Sequence, residues 1–279
     1  MKLLLNILIL LVSIGINPGQ QGPQIGPASA NKHDQFDKPK KTGTEAIEEA
    51  RQRIAANPDS AEAHFNLAET LIYGPITAEE YDQIREEYLK AIELKPDYAQ
   101  AYLKLGSYYA NHDKYEKGFA AINRAISLKP DFAEAYVALG FAYIQKKFGD
   151  GHGLPRTQEE STNAVNALNK AIQIKPDLVQ AYVGLGIATN YLGQVDEALQ
   201  AFKQAVRLDP NNVISHMGIG DYYIRLGDKN AAMKEYEALK RIASEEQALR
   251  RKQGLESYPS LAEAYAQDLL KQMEAHFGK

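Results

Sequence analysis

The chain of 279 residues has no cysteine and no tryptophan, and only six histidines. Without cysteine there can be no disulfide framework, thiolate zinc site, iron–sulfur cluster or cysteine nucleophile. An excess of positive charge is missing too, since 32 Lys+Arg stand against 36 Asp+Glu for a formal net charge of −4. Nucleic acid is therefore not an expected partner, because nonspecific DNA or RNA binding needs a basic face to neutralise phosphates. Apolar material is not scarce: hydrophobic residues make up 44% of the chain, with 17 tyrosines among them. That composition supports a core and excludes disorder throughout.

Long hydrophobic runs are absent except at the start. Met1-Lys2 is followed by Leu3 to Ile16, interrupted only by Asn6, Ser13 and Gly15. An apolar run of this length suits a secretory signal, whereas a spanning helix needs roughly 20 residues. Ala28-Ser29-Ala30 supplies small residues for a signal peptidase, so residues 1–30 are expected to be a signal peptide cut after Ala30. The expected location is accordingly outside the cytoplasm, periplasmic or secreted. Membrane association is expected only if the segment stays uncleaved, and a lipid anchor on cysteine is chemically impossible. Residues 31–43 are polar and lysine-rich and read as a disordered linker.

The rest of the chain repeats itself. Asn57-Pro58-Asp59, Lys95-Pro96-Asp97, Lys129-Pro130-Asp131, Lys175-Pro176-Asp177 and Asp209-Pro210-Asn211 place their prolines 38, 34, 46 and 34 residues apart. The base period is 34, with four extra residues in the first unit and twelve, at 146–157, in the third. Within the second unit Tyr102, Leu105, Gly106 and Tyr109 fall on one face of a helix, and Gly118, Ile122 and Ala125 form a similar stripe on the next. Glycine inside a helix costs about 1 kcal/mol relative to alanine. Its return at 106, 140, 186 and 220 therefore implies that two helices approach closely there. Each proline should close a helix, and the Asp after it should cap the next one.

These residues resemble the tetratricopeptide repeat. The fourth unit carries Tyr182, Leu185-Gly186, Gly193, Ala198, Phe202, Ala205 and Pro210, and the third carries Tyr136, Leu139-Gly140, Tyr143, Ala164, Leu168, Ala171 and Pro176. The outer units depart from the pattern, with His64 and His216 at the position held elsewhere by Tyr102, Tyr136 and Tyr182. The resemblance implies an all-α fold, an α-solenoid of about five helix pairs over residues 44–244. The units lie near 61–96, 99–130, 133–176, 179–210 and 213–244. Thr44 to Asn57 reads as an N-terminal half-repeat. In residues 245–279, Leu261, Tyr265, Leu269, Met273 and Phe277 step by four along one stripe, as a C-terminal capping helix would.

No catalytic constellation is visible, so the chain is not expected to be an enzyme, to hold a cofactor or metal, or to act on a small-molecule substrate. The histidines at 33, 64, 112, 152, 216 and 276 share no repeated spacing with carboxylates. His64 and His216 read as packing residues. Asp150 and His152 fill too little of a coordination shell for a metal and read as part of a loop. Acidic pairs such as Glu86-Glu87 read as solvated helix faces.

By the same resemblance, the first helix of each pair lines a concave groove that takes a protein or peptide partner. The groove positions lack the Lys/Asn/Arg set that holds a terminal carboxylate in chaperone-binding relatives, and they lack an asparagine ladder. They hold instead small residues (Ala138, Gly184, Gly218) beside larger apolar ones. The expected partner-binding groove comprises Lys104, Val137, Phe141, Ile144, Val183, Ile187, Asn190, Tyr191, Met217, Asp221 and Arg225. It should accept an apolar or amphipathic segment. Two alternatives stand beside this reading. The chain's own C-terminal helix could fill the trough, or the protein could be a structural adaptor of an envelope complex, docking by its convex face and inserted loop.

Overall fold

The computed structural model describes residues 43–73, 78–149, 158–253 and 260–278. The expected signal peptide, residues 31–42 of the expected linker, and Asp150 and His152 in the inserted loop lie outside them, while Gly43, the last residue of that linker, opens the first helix. Among the described residues there are twelve α-helices and no strand. They are α1 (Gly43–Ala56), α2 (Ala61–Tyr73), α3 (Ala78–Leu94), α4 (Ala99–Asn111), α5 (Tyr115–Leu128) and α6 (Ala133–Gly149). There follow α7 (Gln158–Ile174), α8 (Val179–Tyr191), α9 (Val195–Leu208), α10 (Val213–Leu226), α11 (Lys229–Gln253) and α12 (Leu261–Phe277). No helix among the described residues is long and apolar enough to cross a membrane. The chain forms two compact units, an N-terminal one within residues 22–109 and 116–130 and a C-terminal one containing 110–115 and 131–279.

Each proline phrase falls in a turn between helices. The residue before proline makes the last helical bond: Lys95 donates to the Ala91 carbonyl, Lys129 to Ala125, Lys175 to Ala171 and Asp209 to Ala205, at 2.8–3.0 Å. Proline then has no N–H with which to continue the ladder. The capping expectation needs correction. Asp59, Asp97, Asp131, Asp177 and Asn211 sit inside the turn, because the next helix begins only after one further residue. That later residue holds the cap position. Ser60 Oγ accepts from the Ala63 N–H (3.1 Å) and Asn212 Oδ1 from the Ser215 N–H (3.0 Å), while Leu178 has no side-chain cap to offer.

The recurring glycines have the packing reason expected of them. A Cβ on Gly106 would lie 2.6 Å from Ile122, one on Gly140 2.6 Å from Leu168, and one on Gly186 2.6 Å from Phe202. Carbon atoms pack best at about 3.5–4.0 Å. The same large side chains also reach the following repeat: Leu168 meets Gly184 and Phe202 meets Gly218. One large residue thus occupies the space of two missing Cβ atoms and locks two helix pairs together.

In the N-terminal unit, α1 buries Ile47 and Ala50 beside Leu67, Leu71, Ile84 and Tyr88. In the C-terminal unit, α12 packs on both α10 and α11. Tyr265, Leu269 and Met273 of its stripe are buried, while Leu261 and Phe277 are half-buried. Leu269 fills the Gly220 position, 2.7 Å from where a Cβ would stand. Ser260 starts α12 by accepting from the Glu263 N–H (3.2 Å), and its hydroxyl donates to Glu246 on α11 (2.5 Å).

Candidate functional site

Helices α8, α9, α10 and α12 enclose a cavity of about 300 Å3 in the C-terminal unit. Helical spacing decides which side chains reach it. On α8, Ile187, Asn190 and Tyr191 stand at i, i+3 and i+4; on α10, Ile214, Met217, Asp221 and Arg225 continue one stripe; on α12, Tyr265 and Asp268 are three apart. The floor is apolar, formed by Phe202 and Leu199 of α9 with Ile187, Ile214 and Met217. Val195 lies at its exposed edge.

One end of the cavity is polar. Arg225 donates to Asp221 (3.3 Å) and, at 3.5 Å, to Asn190. Gln272 donates to Asp268 (3.1 Å) and also lies against Asp221. Burial pushes the Asp221 carboxyl above its ordinary pKa and the Asp268 charge adds to the push, against the pull of Arg225. Tyr265 is 2% exposed, and its hydroxyl has no hydrogen-bond partner among the described residues. Burial, with the charge of Asp268 behind it, raises the pKa of that hydroxyl strongly.

Six of the eleven residues expected in the groove line this cavity: Ile187, Asn190, Tyr191, Met217, Asp221 and Arg225. The other five lie elsewhere. Val137, Phe141, Ile144 and Val183 are buried in the core of the C-terminal unit, Phe141 at 0% and Val183 at 1% exposure. Lys104 belongs to the N-terminal unit, where its ammonium meets Glu69 at 2.7 Å and Glu69 also accepts from the Tyr88 hydroxyl. Of the small residues, Gly218 lines the cavity beside Phe202, whereas Leu168 fills the space beside Gly184.

Repeat position places Ile214 in the groove as well, whereas sequence reasoning missed Leu199, Phe202, Tyr265 and Asp268 as cavity residues. Phe202 and Tyr265 read correctly as packing residues, and the structure gives each a second role at the cavity wall. Asp268 carries no such signal: its place three residues after Tyr265 matters only because α12 turns that face towards α8 and α10.

His64 and His216 are buried, but each ring also meets a carboxylate. His64 Nδ1 meets Glu87 at 2.6 Å and its Nε2 meets the Pro58 carbonyl at 2.9 Å; His216 repeats the pattern with Glu235 (2.7 Å) and Pro210 (3.0 Å). Both nitrogens of each ring face oxygen atoms. Glu87 is therefore not part of a solvated face, with 14% of its side chain exposed, whereas Glu86, 61% exposed, turns outward to Arg85.

Two family models described as tetratricopeptide repeat match, one over residues 183–247 and one over residues 87–119. No curated protein matches the sequence. Among solved structures, the chain is similar to a thermophilic tetratricopeptide-repeat protein of Thermus thermophilus, at 19% identity and a TM-score of 0.58, over 76% of this chain and 100% of that one. It is also similar to PilF of Pseudomonas aeruginosa, at 19% identity and a TM-score of 0.57, over 75% of this chain and 90% of that one. At such identities the likeness is one of fold. With the period of 34, the glycine contacts and the matched repeats in both units, the conclusion is plain: this is a tetratricopeptide-repeat protein.

Proposed function

We propose that this protein is an exported protein-interaction module that captures a segment of a polypeptide partner in the cavity between α8, α9, α10 and α12. The observation that carries the reading is the composition of that cavity: an apolar floor of Phe202, Leu199, Ile214 and Met217 ends in a polar group of Asn190, Asp221, Arg225 and Asp268. Ligand sites commonly combine a mostly apolar lining with a few placed polar groups. The action is capture rather than catalysis. Export rests on the Leu3–Ile16 run and the Ala28-Ser29-Ala30 site.

Affinity capture with Met217→Glu tests the site, because Met217 is only half-buried and the change places a charge on the cavity floor. The partner retained by the native protein should be lost while the melting temperature changes little. Retention of the partner by the variant overturns the reading. Export is tested by amino-terminal sequencing of the protein recovered from outside the cytoplasm. A chain beginning at Asn31 is expected, and recovery only from the cytoplasm rejects export.

A further inference from the structure

The cavity is small for a binding groove. Its volume of about 300 Å3 lies at the lower end of the roughly 300–1,000 Å3 usual for ligand sites. A helix with its side chains is ~10–12 Å across, so the space accepts one or two side chains of a segment rather than a helix body. The floor decides the first of them. Phe202, Leu199, Ile214 and Met217 offer no hydrogen bond and match a large apolar side chain.

Charge decides the second. Three charged side chains line the cavity: Asp221, Asp268 and Arg225. Arg225 is engaged with Asp221 and Asn190, and among the described residues Asp268 has only the neutral amide of Gln272 as a hydrogen-bond donor. Beside it stands the buried Tyr265 hydroxyl, which has no partner among the described residues. An anion brought here would meet two carboxylates. A cation would supply a counter-charge for Asp268.

On the basis of the cavity reading above, we infer that the occupant is a partner segment with a large apolar side chain followed within one or two residues by lysine or arginine. The apolar side chain enters between α9 and α10, and the cation pairs with Asp268. A charge-assisted bond of this kind is worth about 10- to 100-fold in affinity.

The test is selection of a displayed random heptapeptide library on the intact protein, followed by titration of the consensus peptide and of its Lys/Arg→Ala form. The native protein should enrich apolar–basic pairs and bind the alanine form at least about tenfold more weakly. Asp268→Asn should keep the apolar preference and lose the basic one. Met217→Glu should abolish enrichment; Val195→Arg, at an exposed position on the cavity edge, does the same job if Met217→Glu melts early. Apolar enrichment without a basic preference, or a basic preference unchanged in Asp268→Asn, overturns this inference and leaves the cavity reading standing. Enrichment that survives Met217→Glu and Val195→Arg, or no enrichment at all, overturns both.

Discussion

The two units use the same repeat frame to opposite ends. In the N-terminal unit, polar groups on the first helices of the repeats find partners within the unit. Lys104 and the Tyr88 hydroxyl converge on Glu69, and Lys95 bonds Glu62 (3.0 Å) while lying over the Tyr98 ring. In the C-terminal unit, the corresponding helices meet α12 at an apolar cavity whose rim holds a carboxylate, Asp268, with no cationic partner among the described residues. Identical helix spacing therefore does not make identical surfaces. Repeat positions pair their charges in both units, as Lys95 with Glu62 and Arg225 with Asp221, and the difference comes from α12, a helix outside the repeats that brings Asp268 to the cavity.

The harshest way to break that contrast is to remove α12, which exists only in the C-terminal unit. Deleting residues 258–279 strips away Tyr265, Leu269 and Met273, each buried. At ~1.5–3 kcal/mol for each large apolar side chain, the loss is about 5–9 kcal/mol, comparable with the ~5–15 kcal/mol that holds a whole domain folded. The truncated protein should aggregate or lose its cooperative melt, read by size-exclusion chromatography and circular dichroism. A soluble, cooperatively melting truncation would show that α12 is an accessory rather than a cap.

A smaller but still large effect is expected from Gly186→Leu. The Phe202 ring stands 2.6–2.8 Å from a Cβ there, so the new side chain must displace the residue that locks two repeats together. Overpacking of this kind costs typically 1–3 kcal/mol or more. Glu197→Ala, on an exposed residue of the neighbouring helix, should stay within about 0.5 kcal/mol. Equal shifts in melting temperature would mean that the glycine contacts do not hold the unit together.

The repeat frame and most of its packing are legible from the sequence because they recur. Gly106, Gly140, Gly186 and Gly220 announce close contacts by returning at one position, and the prolines mark five turns. The site is legible only where it uses that frame. Ile187, Asn190, Met217 and Asp221 follow from repeat position, whereas Tyr265 and Asp268 come from a helix outside the repeats whose rotation no period fixes. Phe141 and Val183 show the converse: they occupy groove positions in the pattern, yet tight contacts among Leu168, Gly184 and Phe141 bury them. The Asn212 cap and the His–Glu pairs escape a periodic reading because each depends on a local substitution within the repeat.

The histidine pair gives a gentler test, through pH. Burial works against charge on His216, but the Glu235 carboxylate and the Pro210 carbonyl outweigh it, with Arg241 opposing, and the folded pKa lies above the ordinary value. A raised folded pKa means that the stabilisation is complete below the unfolded value, about 6.5, and is lost as pH rises through the folded one. His216→Tyr installs the residue used at this position in the middle repeats and removes the titration. Melting temperature should therefore fall from about pH 6 to pH 8 more steeply for the native protein than for the variant. Parallel profiles would show that the ring does not titrate in this window.

A small effect is expected from Lys104→Met, which probes the comparison from the N-terminal side. Lys104 and Glu69 are 24% and 23% exposed, so solvent screens their pairing, and the Tyr88 hydroxyl still holds Glu69 when the ammonium is gone. Partly exposed pairs are worth up to about 1 kcal/mol, and methionine keeps most of the apolar stem. A loss of no more than about 1 kcal/mol is expected in denaturant melts, with no change in the peptides enriched by the C-terminal cavity. Lys104 has its counter-charge within its own unit, whereas Asp268 has none among the described residues. If Lys104→Met weakened peptide capture as much as Asp268→Asn does, the contrast between a self-satisfied unit and a receptive one would fail.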